Sequence, residues 1–299
     1  MKMLNIQTPS LHRVTFLTVV VILLSLTAAA CQLINPATPI PPQGTGSTPE
    51  LVEKTSETAA PVPTATGIPA TPTPAVYDPA DPASWVYLPV IPDHLSQRVR
   101  DLYEMGKTSG SNQHAFSKAG DCETSTQYFL APFDMNPNGY RLGNYGTLAE
   151  VISYYEGSFE RVSLAASSGG SVAKVLSPLW ADTTQCRENE SPLVCEIRIH
   201  RPAILLVMFG TNDVKASSPE NFELNLKKLV DISLSNNVVP VLVTKADNLE
   251  GDNSMNTIIV RVANEYELPV LNMWRVMQEL PNEGLQSDGI HLTYADNIS

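Results

Sequence analysis

Basic residues are scarce: 19 Lys and Arg face 31 Asp and Glu across 299 residues, for a formal net charge of −12. A surface of that sign repels a phosphate backbone, which argues against a nucleic-acid partner. Long apolar runs are scarce as well. Only residues 14–30 approach the length of a bilayer span, so a multi-helix membrane bundle is excluded. The four cysteines and five histidines match no zinc pattern in their spacing, and neither a metal nor an organic cofactor is implied. With 43% hydrophobic and 17% charged residues, the chain is neither disordered throughout nor fibrous. The 216 residues after position 83 suffice for one domain with a full core.

Lys2, His12 and Arg13 precede the apolar run, which closes on Leu26-Thr27-Ala28-Ala29-Ala30-Cys31. That is the shape of a secretory signal. Small residues let a peptidase take the chain extended in a narrow groove, and a Cys directly after them resembles a bacterial lipoprotein box. Leu26 lies further back than such boxes place it, so an uncleaved N-terminal anchor is the alternative. Both readings export the domain and hold it at a membrane, the first through a lipidated Cys31. Residues 32–83 carry 12 of the 24 prolines and one aromatic, Tyr77. Such a stretch cannot pack and reads as a semi-rigid stalk. The expected organisation is a signal peptide over 1–30, a Pro/Thr-rich linker over 31–83 and a folded domain over 84–299.

From Gln113 onward, apolar bursts alternate with amphipathic segments, the rhythm of a parallel sheet wrapped by helices. Five strands are expected: 115–119, 160–165, 203–209, 238–243 and 268–271. The third, Ala203 to Phe209, is apolar on both faces, as a central parallel strand requires. A helix is expected from Thr147 to Tyr155. Another opens at Ser218-Pro219-Glu220 with a capping hydroxyl, Pro at the first helical position and an acid in the first turn. A further helix, capped by Asn253-Ser254, places Ile258, Ile259, Val262, Ala263 and Tyr266 on one face. The expected fold is a three-layer α/β/α domain with a five-stranded, mostly parallel sheet.

In an open sheet of this kind, ligands meet the loops that leave the carboxyl ends of the strands. Those loops are Gly120-Asp121-Cys122-Glu123-Thr124, Ser167-Ser168-Gly169-Gly170 and Gly210-Thr211-Asn212-Asp213, together with Ser287-Asp288-Gly289-Ile290-His291-Leu292 after the last strand. They hold a nucleophile after a tight turn, glycine amides, a neutral side-chain donor, and an acid three residues before an imidazole. Those are the parts of acyl transfer. The nucleophile needs a base, the base needs a carboxylate to hold its tautomer, and the oxyanion needs preorganised donors.

Over about residues 113–292 the chain resembles the SGNH hydrolases, or GDSL esterases/lipases, whose flavodoxin-like fold agrees with the expected sheet. Gly210-Thr211-Asn212-Asp213 and Asp288-Gly289-Ile290-His291 match that family's blocks outright and in order. The resemblance implies Cys122 as nucleophile, His291 as base, Asp288 as its orienter, and the Cys122 amide, the Gly169 amide and the Asn212 side chain as oxyanion donors. Gly169 fits the family's position better than Gly170. The first block departs from the pattern: Cys122 replaces Ser, Glu123 replaces the usual Leu or Ile, and no Asn precedes Gly169 in its block. A thiol favours activated esters or thioesters, because an oxyanion hole placed for oxygen is misaligned by a larger atom. The family usually has a closing helix after the His, and only eight residues follow His291. Looser packing near that base is therefore expected.

The implied function is hydrolysis of a small-molecule or glycan-linked ester or thioester by a membrane-anchored, extracytoplasmic domain. The alternative is a catalytically silent surface module that holds an acylated glycan or another envelope ligand, with Cys122 an inert buried residue. Asp121 and Asp213 read as turn and hydrogen-bonding groups, and His94, His114 and His200 as structural. Cys186 and Cys195 bracket a polar segment that export permits to close as a bridge, expected at the amino end of the sheet. Cys122 is then the odd thiol left over.

Overall fold

A strand that is apolar on both faces belongs inside a sheet, and Pro202–Met208, here β2, sits there. In the computed structural model, which describes residues 76–136 and 138–294, β2 lies between β1, Asn112–Gly120, and β3, Val239–Val243. β4, Val270–Leu271, follows β3. The order is β1-β2-β3-β4 and every pair is parallel. The carboxyl ends are level: Gly120 pairs with Met208 and Val207 with Leu242. The leader, Cys31 and most of the expected linker lie outside the described residues. Among the described residues, no helix is long and apolar enough to cross a membrane.

Four helices of two turns or more pack around these strands: α1, Gln97–Thr108; α2, Pro192–His200; α3, Pro219–Ser235; and α4, Ser254–Tyr266. Ser218 caps α3, its Oγ accepting from the Asn221 amide at 3.3 Å. Phe222, Leu226, Leu229 and Val230 of α3 are buried and share the core with Ile258, Ile259 and Val262 of α4. Each such side chain contributes about 1.5–3 kcal/mol by leaving water. The α4 cap differs from expectation. Asn253 is left-handed and makes no side-chain cap bond; Asp252 and Glu250 instead accept from the amides of Ser254 and Met255, at 2.9 and 3.2 Å. The segment before α1 folds onto the end of β4. There the buried Asn272 donates to the Trp85 and Leu88 carbonyls at 3.3 and 3.2 Å, and Trp85 meets Trp274 edge to face.

The expected second strand, residues 160–165, does not form, so the described residues hold four strands and not five. Beside β1 the chain makes an isolated parallel bridge between Gly120 and Ala166. Upstream, side chains take the place of a ladder. Ser158 Oγ accepts from the Phe116 amide at 3.3 Å, and Arg161 donates to the Phe116 carbonyl at 2.5 Å. Glu196 of α2, fully buried, accepts from Ser117 Oγ at 2.6 Å, from Arg161 at 2.5 Å and from the Leu164 amide at 2.9 Å. Backbone groups satisfied in this way need no strand geometry.

Cys186 and Cys195 are bonded, with Cα atoms 5.3 Å apart. The bridged segment runs alongside α2: Glu190 is held by Arg198 in the helix's later turn. Pro192, at the start of α2, lines the same cleft as Gly120 and Phe209 at the carboxyl ends of β1 and β2. A helix that runs back antiparallel to its next strand must begin at that edge.

Replacing Glu196 by Ala leaves Arg161 and the Leu164 amide without their buried partner. Glu196→Ala is expected to cost about 3–5 kcal/mol, read as a lower urea midpoint with an unchanged slope. Glu223→Ala, at an exposed ion pair with Arg261, is the contrasting variant, with about 1 kcal/mol or less expected.

Candidate active site

The carboxyl edge of the sheet brings the expected loops together. One cleft is lined by Asp121 and Glu123 after β1, Thr211 after β2, Asp247 after β3, and Ile290 and Leu292 of the last loop. A neighbouring cleft is lined by Gly120, Ser167, Ser168, Gly170 and Phe209. Cys122 begins a helical turn, Cys122–Ser125, capped by Asp121, whose Oδ1 accepts from the Glu123 amide at 3.1 Å. The Cys122 sulfur, a Glu123 carboxylate oxygen and a His291 ring nitrogen all lie within 4.8 Å of one another.

The loop carrying His291 is braced from within. Gln286 donates its amide to the His291 carbonyl at 2.7 Å and its side chain to the Leu292 carbonyl at 2.8 Å. Asp288 uses both oxygens: Oδ1 accepts from the amides of Ile290 and His291, each at 3.0 Å, and Oδ2 lies 2.6 Å from His291 Nδ1. The loosening expected near His291 is thus opposed by hydrogen bonds inside its own loop. The side chains of His291 and Asp288 remain 46% and 45% exposed, so water reaches the imidazole. The His291 ring holds Asp288 down to about 2, helped by the Ile290 and His291 amides. Asp288 in turn raises His291 above the ordinary imidazole range.

Cys122 is half-buried. Burial raises its thiol pKa first, and the charges of Asp121 and Glu123 push it further up. Asp121, almost wholly enclosed, rises to about 7 by burial, against the Glu123 amide that stabilises its charge. Glu123 is raised as well, again by burial first, with the Leu292 amide and His291 opposing. The site thus holds a protonated thiol among carboxylates, with one imidazole in reach.

The expected oxyanion donors divide by what already occupies them. The Asn212 Nδ2 atom is buried and has no hydrogen-bond partner among the described residues. An orphaned buried donor is costly, and sites that receive an anion are a common reason for one. Of the two glycines, Gly170 is committed, its amide donating to the Ser167 carbonyl at 2.8 Å. A Cβ there would lie 2.6 Å from the Gly120 carbonyl, so a close approach requires glycine. Gly169, at φ +67°, is left-handed, a conformation glycine adopts without strain. Its carbonyl accepts from Lys174 Nζ at 2.8 Å. Asp213, expected as a structural acid, accepts from the Val172 amide at 3.0 Å and the Gly210 amide at 3.2 Å, tying two rim loops together; burial raises it to about 6.

Two features escape a sequence reading. Glu123, noted only as a departure from an apolar residue, turns into the site beside the thiol. Asp247 reaches the rim from after β3, accepting from Thr211 Oγ1 at 2.6 Å and from the buried Lys245 at 2.8 Å. Lys245-Ala246-Asp247 matches no expected block, and only its position after an apolar strand was a signal.

No family model matches the chain, and neither does any curated protein. Solved structures do. A lipase/acylhydrolase from Enterococcus faecalis aligns at 17% identity and a TM-score of 0.41, covering 60% of this chain and 87% of its own. AlinE4, an SGNH-hydrolase family esterase, aligns at 14% and 0.38, covering 62% and 88%. Axe2, an acetyl xylan esterase from Geobacillus stearothermophilus, aligns at 16% and 0.38, covering 62% and 88%. At such values the likeness carries no functional weight by itself, and the chemistry has to be judged from the residues.

The thiol environment makes a direct expectation. Cys122 alkylation by iodoacetamide at pH 7 is slower than that of a free thiol, and it rises with pH beyond the usual thiol range. Glu123→Gln removes one charge that raises the thiol, so its alkylation at pH 7 speeds up by as much as about tenfold, the equivalent of one pKa unit. A fast plateau in the wild type beginning below neutral pH contradicts this, because it marks a preformed thiolate.

Proposed function

We propose that this chain is an SGNH-type hydrolase with a three-layer α/β/α domain, acting on an ester or thioester through Cys122, His291 and Asp288. The observation that carries the reading is the meeting of the Cys122 sulfur and the His291 ring at the carboxyl edge, with Asp288 2.6 Å from Nδ1 of that ring. In the reaction, His291 Nε2 takes the thiol proton as Cys122 Sγ bonds to the acyl carbon. The carbonyl electron pair moves to oxygen, where the Cys122 and Gly169 amides and Asn212 Nδ2 receive it. The leaving oxygen or sulfur departs with the proton from His291. Water, deprotonated by the same imidazole, then attacks the acyl-thioester, which releases the acid and restores the thiol.

The apolar run, Cys31 and the proline-rich stretch support an exported domain held at a membrane, and the Cys186–Cys195 bridge fits an oxidising compartment. A second reading has its own support. The carboxylates that keep Cys122 protonated favour a silent module that binds an acylated ligand without turning it over.

Thioester and aryl acetate hydrolysis by the full chain discriminates the two. Cys122→Ala and His291→Ala are expected to abolish turnover, and Asn212→Ala to lower kcat roughly 100- to 1,000-fold. The wild-type rate falls as pH drops through the His291 pKa, which lies above the ordinary value of about 6.5, because only the neutral ring accepts the proton. An inert wild type with an active Cys122→Ser favours the silent module.

A further inference from the structure

Three side chains meet at the rim: the Cys122 thiol, the Glu123 carboxylate and the His291 imidazole. The hydrolase reading uses the first and third, and leaves the second unexplained. We propose that Cys122, Glu123 and His291 form a binding site for a borderline divalent cation of the zinc class, which competes with substrate for the thiol and the imidazole.

The donor atoms of the three residues lie within 4.8 Å of one another. Zinc bonds of about 2.0–2.3 Å at tetrahedral angles hold ligand atoms about 3.3–3.7 Å apart, so rotamer adjustments on the order of 1 Å close the site. All three residues lie at the surface or half-buried, so such adjustments displace no core. One sulfur, one imidazole nitrogen and one carboxylate oxygen suit zinc or cobalt and disfavour magnesium and calcium, which prefer oxygen alone. Asp288 engages His291 Nδ1 at 2.6 Å, which leaves the Nε2 lone pair for a metal. A carboxylate behind a ligating imidazole is the usual outer support of zinc sites. Lys245, which lines the same cleft as Glu123, has its charge offset by Asp247 at 2.8 Å and Glu250 at 2.6 Å. Binding releases the thiol proton to solvent and leaves a fourth position open to water.

The site shares two residues with the hydrolase reading but does not require turnover, and one set of measurements separates them. The untagged full chain is stripped with EDTA, titrated with cobalt(II), and competed with zinc(II). One cobalt per chain is expected, with a thiolate-to-cobalt charge-transfer band that disappears in Cys122→Ser. Glu123→Gln and Asp288→Asn are expected to weaken binding by about 10- to 100-fold, with circular dichroism confirming that each variant is folded. Thioester hydrolysis by the stripped protein is lost on adding one equivalent of zinc and returns with EDTA. No charge-transfer band, or cobalt bound equally by wild type and Cys122→Ser, overturns the metal site. Hydrolysis without that band leaves the hydrolase reading standing alone; the band in a stripped protein that never hydrolyses substrate leaves the metal site standing and removes the hydrolase.

Discussion

A single buried carboxylate organises one half of this domain. Glu196 is reached from three sides, by Ser117 of β1, by Arg161 and by the Leu164 amide, and it has no contact with solvent. An unpaired charge at that depth is prohibitive, so the three partners are held where they can satisfy it. The consequence reaches the rim. Residues 160–164 run beside β1 without joining the sheet, and the chain emerges at Ala166 in register with Gly120, which delivers Ser167 to Gly170 to the carboxyl edge.

The rim itself is governed by contrast between its acids. Asp288 is exposed and held down to about 2 by its imidazole and two amides; Asp121 is enclosed and raised to about 7 by burial. Two residues of the same kind thus sit in opposite environments: one is an exposed charge paired with an imidazole, the other a cap that anchors the turn bearing the thiol. Cys122 stands between these environments. Its neighbours disfavour a thiolate, so under the proposed mechanism the proton passes to His291 only as the sulfur attacks.

Such surroundings suit slow acyl transfer or ion capture better than the fast chemistry of a preformed thiolate. On the same edge Asn212 Nδ2 is a buried donor without a partner among the described residues, and leaving such an amide unpaired costs about 1–3 kcal/mol. Glu123 has no role in the proposed acyl transfer, and its place beside the thiol is what the proposed metal site accounts for.

Local pattern alone determined much of this protein. The continuous apolar run of β2, the Ser218-Pro219 opening of α3 and the one-sided face of α4 each follow from periodicity and capping within a few residues. Asp288 and His291, three apart in one loop, were legible for the same reason. What tertiary structure decided were the matters settled between distant segments. Residues 160–165 read as a strand, but side chains of Ser158 and Arg161, and not a ladder, satisfy the Phe116 backbone of β1. The start of α2 at Pro192 lies at the carboxyl edge because that helix must run back against its strand. Cys122, Glu123 and His291 are neighbours only because parallel strands place their exits on one side of a sheet, a relation that no window of sequence contains.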